Sequence, residues 1–235
     1  MFTKNHWYVL FAYIGMLILT FLIPVILTLN FSFDLITTSI YTNIILFILC
    51  LGLVLYMMRV ELTREKRAHP LSIGTLFGWS LFGLILAWSG QIVAALIETY
   101  LFGIDPGSEN TEAILELTRI NPLLFIIPAI VGPILEELVF RKIIFGTFYK
   151  RMNFFLAAIF SSIIFAILHL DFSHILIYTA IGFVFAFLYV KTKRIIVPII
   201  VHMAMNTITV LVQLSIDPEE LEKIQEQLAL ILFGG

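Results

Sequence analysis

The 235-residue chain is 60% hydrophobic and only 13% charged, and it carries a formal net charge of −2. A soluble domain holds about 45–50% apolar and about 25% charged residues, so a water-soluble globular protein is excluded. The near-neutral charge adds little, and no nucleic acid is expected as a partner.

Apolar runs of about 18 residues or more read as transmembrane helices. In chain order the spans are predicted at about 7–29, 41–58, 71–97, 120–149, 153–170, 174–190 and 195–216. The first is too long for the apolar part of a signal peptide, and no small-residue cleavage site follows, so it reads as a mature helix. Cys50 lies in the second; as the single cysteine it has no intrachain disulfide partner. Pro122, Pro128 and Pro133 predict a kinked or broken outer part of the fourth span. Past the seventh, Asp217-Pro218-Glu219-Glu220 has the form of a helix start. Leu221, Ile224, Leu228 and Ile231 then recur at helical spacing, which predicts a short amphipathic helix.

The loops alternate in charge. Arg59, Arg64, Lys66 and Arg67 follow the second span, Lys150 and Arg151 the fourth, and Lys191, Lys193 and Arg194 the sixth. The loop between the third and fourth spans instead holds Glu98, Asp105, Glu109, Glu112 and Glu116. With a cytoplasmic N-terminus these basic groups fall on the inner side together with Lys4, Arg141 and Lys142, which satisfies the positive-inside rule. The expectation is an all-α polytopic bundle of about seven spans, a single membrane domain over residues 1–235, with the N-terminus inside and the C-terminus outside.

The fourth span also contains Glu136, Glu137 and Arg141. A charge at the bilayer centre costs from about 3 to more than 10 kcal/mol, so ionisable groups at depth are functional candidates. Glu137 and Arg141 are four apart and share a helix face. Glu136 points about 100° away and is free for another role. If the helix continues to Lys150, the rise per residue puts Glu136, His169, His202 and Asn206 roughly 21, 27, 12 and 18 Å deep. His169 follows Phe165 by one turn, and His202 and Asn206 share a face of the last span. Singly, each has an ordinary reading as charge offset, core histidine or interhelical hydrogen bond. Together they can meet in one cavity.

Hydrolysis suits this set. A carboxylate in an apolar setting can act as general base on water. One imidazole can hold that water, and a second imidazole with an amide can stabilise the oxyanion. The competing reading is a zinc site of Glu136, His169 and His202 with an open position for water. Asn206 is a poor zinc ligand, and spacing does not decide between the two. No G-x-S-x-G surrounds any serine.

The ordered motifs E-E-x-x-x-R, F-x-x-x-H and H-x-x-x-N resemble the CPBP family of intramembrane proteases, which includes the CAAX prenyl endopeptidases and the bacterial Abi proteins. The resemblance covers about residues 120–210, the expected catalytic core. It implies that Glu136 is the catalytic glutamate, that His169 is its partner on the water, and that His202 and Asn206 form the oxyanion site. Glu137, Arg141 and Phe165 would support them. It implies a glutamate mechanism with no cofactor, with zinc as the alternative. The partners it implies are the lipid bilayer of a bacterial plasma membrane and a peptide or protein substrate that is lipidated or otherwise membrane-associated. Two other functions fit less of the sequence: a non-catalytic membrane partner of the bacteriocin-immunity type, and a proton-coupled transporter.

Overall fold

The computed structural model describes residues 2–105 and 107–215. These form α1 (Lys4–Phe31), α2 (Leu35–Ala68), α3 (Ile73–Phe102), α4 (Glu109–Ile120), the composite α5 (Pro122–Phe148), α6 (Phe154–Leu168), α7 (Ile175–Thr192) and α8 (Ile196–Ser215), with no strand among the described residues. Six of them are long and apolar enough to cross a membrane. The seventh apolar helix, α6, has 15 residues, about 22 Å of rise against a hydrocarbon core of about 30 Å. The amphipathic helix expected over 217–231 lies outside the described residues.

Short polar side chains set the helix starts. Thr3, Asp34, Ser72, Ser108 and Asn153 each accept a hydrogen bond from the backbone N–H three residues on. The exposed Asp34 carboxyl is held below its ordinary range by the Thr37 N–H that it caps. Left-handed residues end α1 at Ser32, α3 at Gly103 and α7 at Lys193.

The fold is a bundle around α5. Of α5's apolar window 61% is buried inside the protein, against 17–39% for the other five long helices, so α5 is the central helix. The α1–α2 hairpin packs on one side of it through Val9, Tyr13, Met16, Ile40, Val54 and Met58. On the other side α3 packs on α7 and α8, and α6 on α7. Outward faces stay apolar: Phe11, Phe21, Ile73, Phe77 and Leu101 are exposed, as lipid contact requires.

Two elements depart from the hydropathy reading. The acidic stretch read as a loop contains α4, an amphipathic helix that buries Leu115 and Thr118 and packs on the start of α5 and on α8. The second span is predicted to end at 58, yet α2 runs on to Ala68. Hydropathy registers only the apolar part of a helix, and here the remainder is a charged extension. Within it the Glu65 carboxylate gathers the basic end of the bundle. It pairs with Lys142 and accepts from Tyr189 Oη at 3.3 Å and from the Ile195 N–H at 2.8 Å. Arg194 Nη1 donates to the His69 carbonyl at 2.8 Å.

Candidate active site

The prolines do not break α5; they change its winding. Pro122–Phe125 is a tight 3₁₀ turn, Ile127–Val131 a wide π turn, Gly132–Glu136 a single α turn, and Glu137–Phe145 a second π stretch. In the first wide turn the Gly132 N–H donates to the Ile127 carbonyl five residues back. A Cβ at residue 132 would stand 3.0 Å from that carbonyl oxygen, so glycine fits the turn. The next carbonyl in that register, Pro128 O, would need an N–H from residue 133, which is proline. Asn206 Nδ2 on α8 donates to Pro128 O instead, at 2.9 Å. Wide turns of this kind recur at functional sites, and here two of them flank Glu136.

Glu137 and Arg141 are 0% and 1% exposed. Arg141 is therefore an interior group and not a boundary charge. Its Nη1 lies 3.4 Å from Glu137 Oε1, and its guanidinium carbon lies 4.2 Å from the centre of the Phe165 ring and 5.3 Å from that of Phe185. Cation–π contact thus supplements the ion pair in a dry setting. Gly182 makes the room, since a Cβ there would come within 2.9 Å of Arg141 Nη2. Glu137 Oε1 also accepts from His202 Nδ1 at 3.0 Å. The other ring nitrogen, His202 Nε2, faces Glu136 Oε2 at 3.7 Å, too far for a hydrogen bond. His202 therefore stands between the two glutamates.

His169 caps the C-terminal end of α6. Its Nδ1 lies 2.8 Å from the Phe165 carbonyl oxygen. A carbonyl only accepts, so Nδ1 carries the hydrogen, and in the neutral ring Nε2 has a free lone pair. The ring meets Phe165 edge-on at 4.4 Å and stacks on Tyr178 at 4.2 Å.

Glu136, Phe165, His169, His202 and Asn206 line one cavity of about 1350 Å³, whereas Glu137 and Arg141 lie behind its wall. Tyr13, Ile14, Leu17 and Ile18 of α1 and Ile40 and Phe47 of α2 form an apolar side; Ile104, Asp105, Gly107 and the Asn110, Thr111 and Ile114 side of α4 form a roof. Among the described residues no hydrogen bond joins Glu136 to His169. The two candidate oxyanion donors are each partly committed, His202 Nδ1 to Glu137 and one Asn206 hydrogen to Pro128. The second Asn206 N–H is not so used. For the zinc alternative the donors do not converge: no group of three or more His, Cys, Asp or Glu side chains among the described residues could hold a metal ion.

A second polar cluster escaped the sequence reading. Glu98 belongs to the last turns of α3 and not to a loop, and it is 2% exposed. Its Oε1 accepts from the N–H groups of Leu176 and Ile177 at the start of α7, and its Oε2 lies 2.9 Å from His174 Nδ1. His174 Nε2 meets the Gly107 carbonyl, and Ser108 Oγ donates to Asp171 Oδ2 at 2.6 Å. The available signal was an acid at the end of a long apolar run, with Asp171 and His174 closely following His169.

The family model described as type II CAAX prenyl endopeptidase Rce1-like matches residues 118–208, an interval that holds all of these motif residues. The chain is 42% identical over 240 residues to the putative membrane peptidase YdiL of Bacillus subtilis (strain 168), covering 98% of each chain. It is 40% identical over 155 residues to the membrane-embedded CAAX protease MroQ of Staphylococcus aureus (strain USA300), covering 63% of this chain and 62% of that one. The UPF0177 protein YxdF of Lactococcus lactis subsp. lactis (strain IL1403) is 37% identical over 78 residues, 33% of this chain and 42% of its own. No solved structure matches.

Proposed function

The chain belongs to the Rce1-like family of membrane peptidases, and we propose that it cleaves a peptide bond of a membrane-associated peptide or protein with a water activated by Glu136. The observation that carries this reading is that Glu136, His169, His202 and Asn206, from α5, the end of α6 and α8, line one cavity.

In this reading the Glu136 carboxylate takes a proton from water. His169 Nε2 accepts the water's other hydrogen and so aims its oxygen at the scissile carbonyl carbon. As the C–O bond forms, the carbonyl electrons move onto oxygen. The second Asn206 N–H is available to that oxyanion. His202 Nδ1 is given to Glu137, so this ring reaches the oxyanion only through a hydrogen on Nε2. The oxyanion then collapses, the C–N bond breaks, and the proton on Glu136 passes to the departing amine nitrogen.

Glu137 and Arg141 support the site from behind: Glu137 holds His202, and Arg141 balances the buried charge. The apolar α1–α2 wall suits a lipid-like or membrane-embedded part of the substrate. No cofactor is used in this scheme. The basic end of the bundle, with Lys4, Lys142 and Arg194, faces the cytoplasm of a bacterial plasma membrane.

The test is cleavage of a panel of fluorogenic, membrane-inserted peptides by the purified chain in nanodiscs. Cleavage that survives a strong zinc chelator but is abolished in His169→Ala supports the scheme. Full activity of His169→Ala overturns it, and loss of activity to the chelator with recovery on added zinc replaces it by the metal reading.

A further inference from the structure

Beyond the motif residues, the surroundings of His169 point to one more functional side chain. Among the described residues His169 is anchored at one ring nitrogen, and a single hydrogen bond leaves the imidazole free to rock about it. Two aromatic faces close that freedom: Phe165 edge-on, and Tyr178 stacked at 4.2 Å with 30° between the planes. The backbone beside the ring is under tension, because Leu170, the next residue, has φ 55°, a left-handed conformation unusual for a side chain of its size. Such a conformation persists where the surroundings hold it.

What holds it comes from the roof. Ser108, the first residue before α4, donates its hydroxyl hydrogen to Asp171, two residues past His169. Tyr178 Oη lies 3.4 Å from Ser108 Oγ. The serine hydrogen is already given to Asp171, so Tyr178 is the donor in that contact. His174 and Glu98 fasten the same stretch to the Gly107 carbonyl and to the start of α7. One residue of the roof is thus bonded both to the chain beside His169 and to the ring stacked against it.

We propose that Tyr178 is a positioning residue for His169, and that through Ser108 it links the imidazole to the roof of the cavity. The proposal rests on the reading of His169 as the group that holds the water. A roof shifted by an incoming substrate would move Ser108, and with it the Tyr178 ring and the Asp171 end of the His169 turn.

The experiment uses the full chain in nanodiscs with ¹⁵N-labelled histidine. The His169 signals are those lost in His169→Gln. Wild type should show one neutral tautomer with the hydrogen on Nδ1. Tyr178→Phe keeps the stacked ring but loses the hydroxyl that reaches Ser108; it should shift the His169 signals without averaging the two tautomers and lower kcat on a cleaved reporter peptide less than the leucine variant does. Tyr178→Leu keeps bulk without a flat face; it should average the tautomers and lower kcat about 10-fold or more with KM little changed, as expected for a misaligned group. Ser108→Ala, a milder change that preserves the stack, should shift the same signals. Unchanged His169 signals in Tyr178→Leu, or in Ser108→Ala should the leucine variant not fold, overturn the proposal. Because the spectra need no substrate, a chain that cleaves nothing while Tyr178→Leu disorders His169 defeats the hydrolytic reading and leaves the positioning role standing.

Discussion

Asn206 on α8 donates to the carbonyl of Pro128 on α5 at 2.9 Å, the carbonyl that in the five-residue register of this turn would face Pro133, which has no N–H. The contact clamps α8 onto the irregular turn that delivers Glu136. An interhelical hydrogen bond was one expectation for this side chain, and the one it makes repairs the backbone of α5.

Removing that donor should destabilise the fold as well as the activity. Asn206→Ala leaves a carbonyl without its partner, a loss of about 1–3 kcal/mol. Pro133→Ala returns an N–H to residue 133. The double variant should therefore melt above Asn206→Ala alone in detergent, a coupling that a double-mutant cycle measures directly. Strict additivity of the two changes would contradict the clamp.

The Glu137–Arg141 pair gives a second coupled prediction. Both groups are buried, so removing one partner strands the other at a cost of about 3–5 kcal/mol. Glu137→Leu and Arg141→Met should each lower the melting temperature steeply. The double variant, which removes both charges of the pair, should recover much of that loss while cleavage stays impaired, because His202 has lost its acceptor. Thermal melts and reporter cleavage read the two effects separately.

Leu170 offers a test of backbone strain. Its side chain is 65% exposed and its φ is 55°. Left-handed backbone costs a residue with a Cβ about 1–2 kcal/mol. Leu170→Gly should therefore melt no lower than wild type, whereas the β-branched Leu170→Val should melt lower. The reverse order would show that the turn after His169 is not strained.

Much of the architecture was legible because the membrane writes it into composition: long uncharged runs read as spanning helices, and six of the seven are long enough to cross. Spacing alone put Arg141 within reach of Glu137 and turned Glu136 to another face, and the structure shows the ion pair at 3.4 Å and Glu136 on the cavity. The wide winding around Glu136 was not legible. Three prolines read as a kink or a break, whereas the helix continues with altered winding and meets a donor 78 residues away, which local sequence does not reveal. Hydropathy likewise hid α4, whose polar face made the stretch read as loop, and the burial of Glu98, whose partners His174, Leu176 and Ile177 lie in another helix region. The place of His202 between two carboxylates follows from how α8 packs on α5, which spacing within α8 does not encode.

The most direct measurement is the cleavage rate of Glu136→Gln, which keeps size and polarity but cannot take a proton from water. With a melting temperature near wild type, its kcat on a membrane-inserted reporter peptide should fall by about 10²-fold or more, in line with the loss of a general base. A folded Glu136→Gln that cleaves at the wild-type rate would contradict the account.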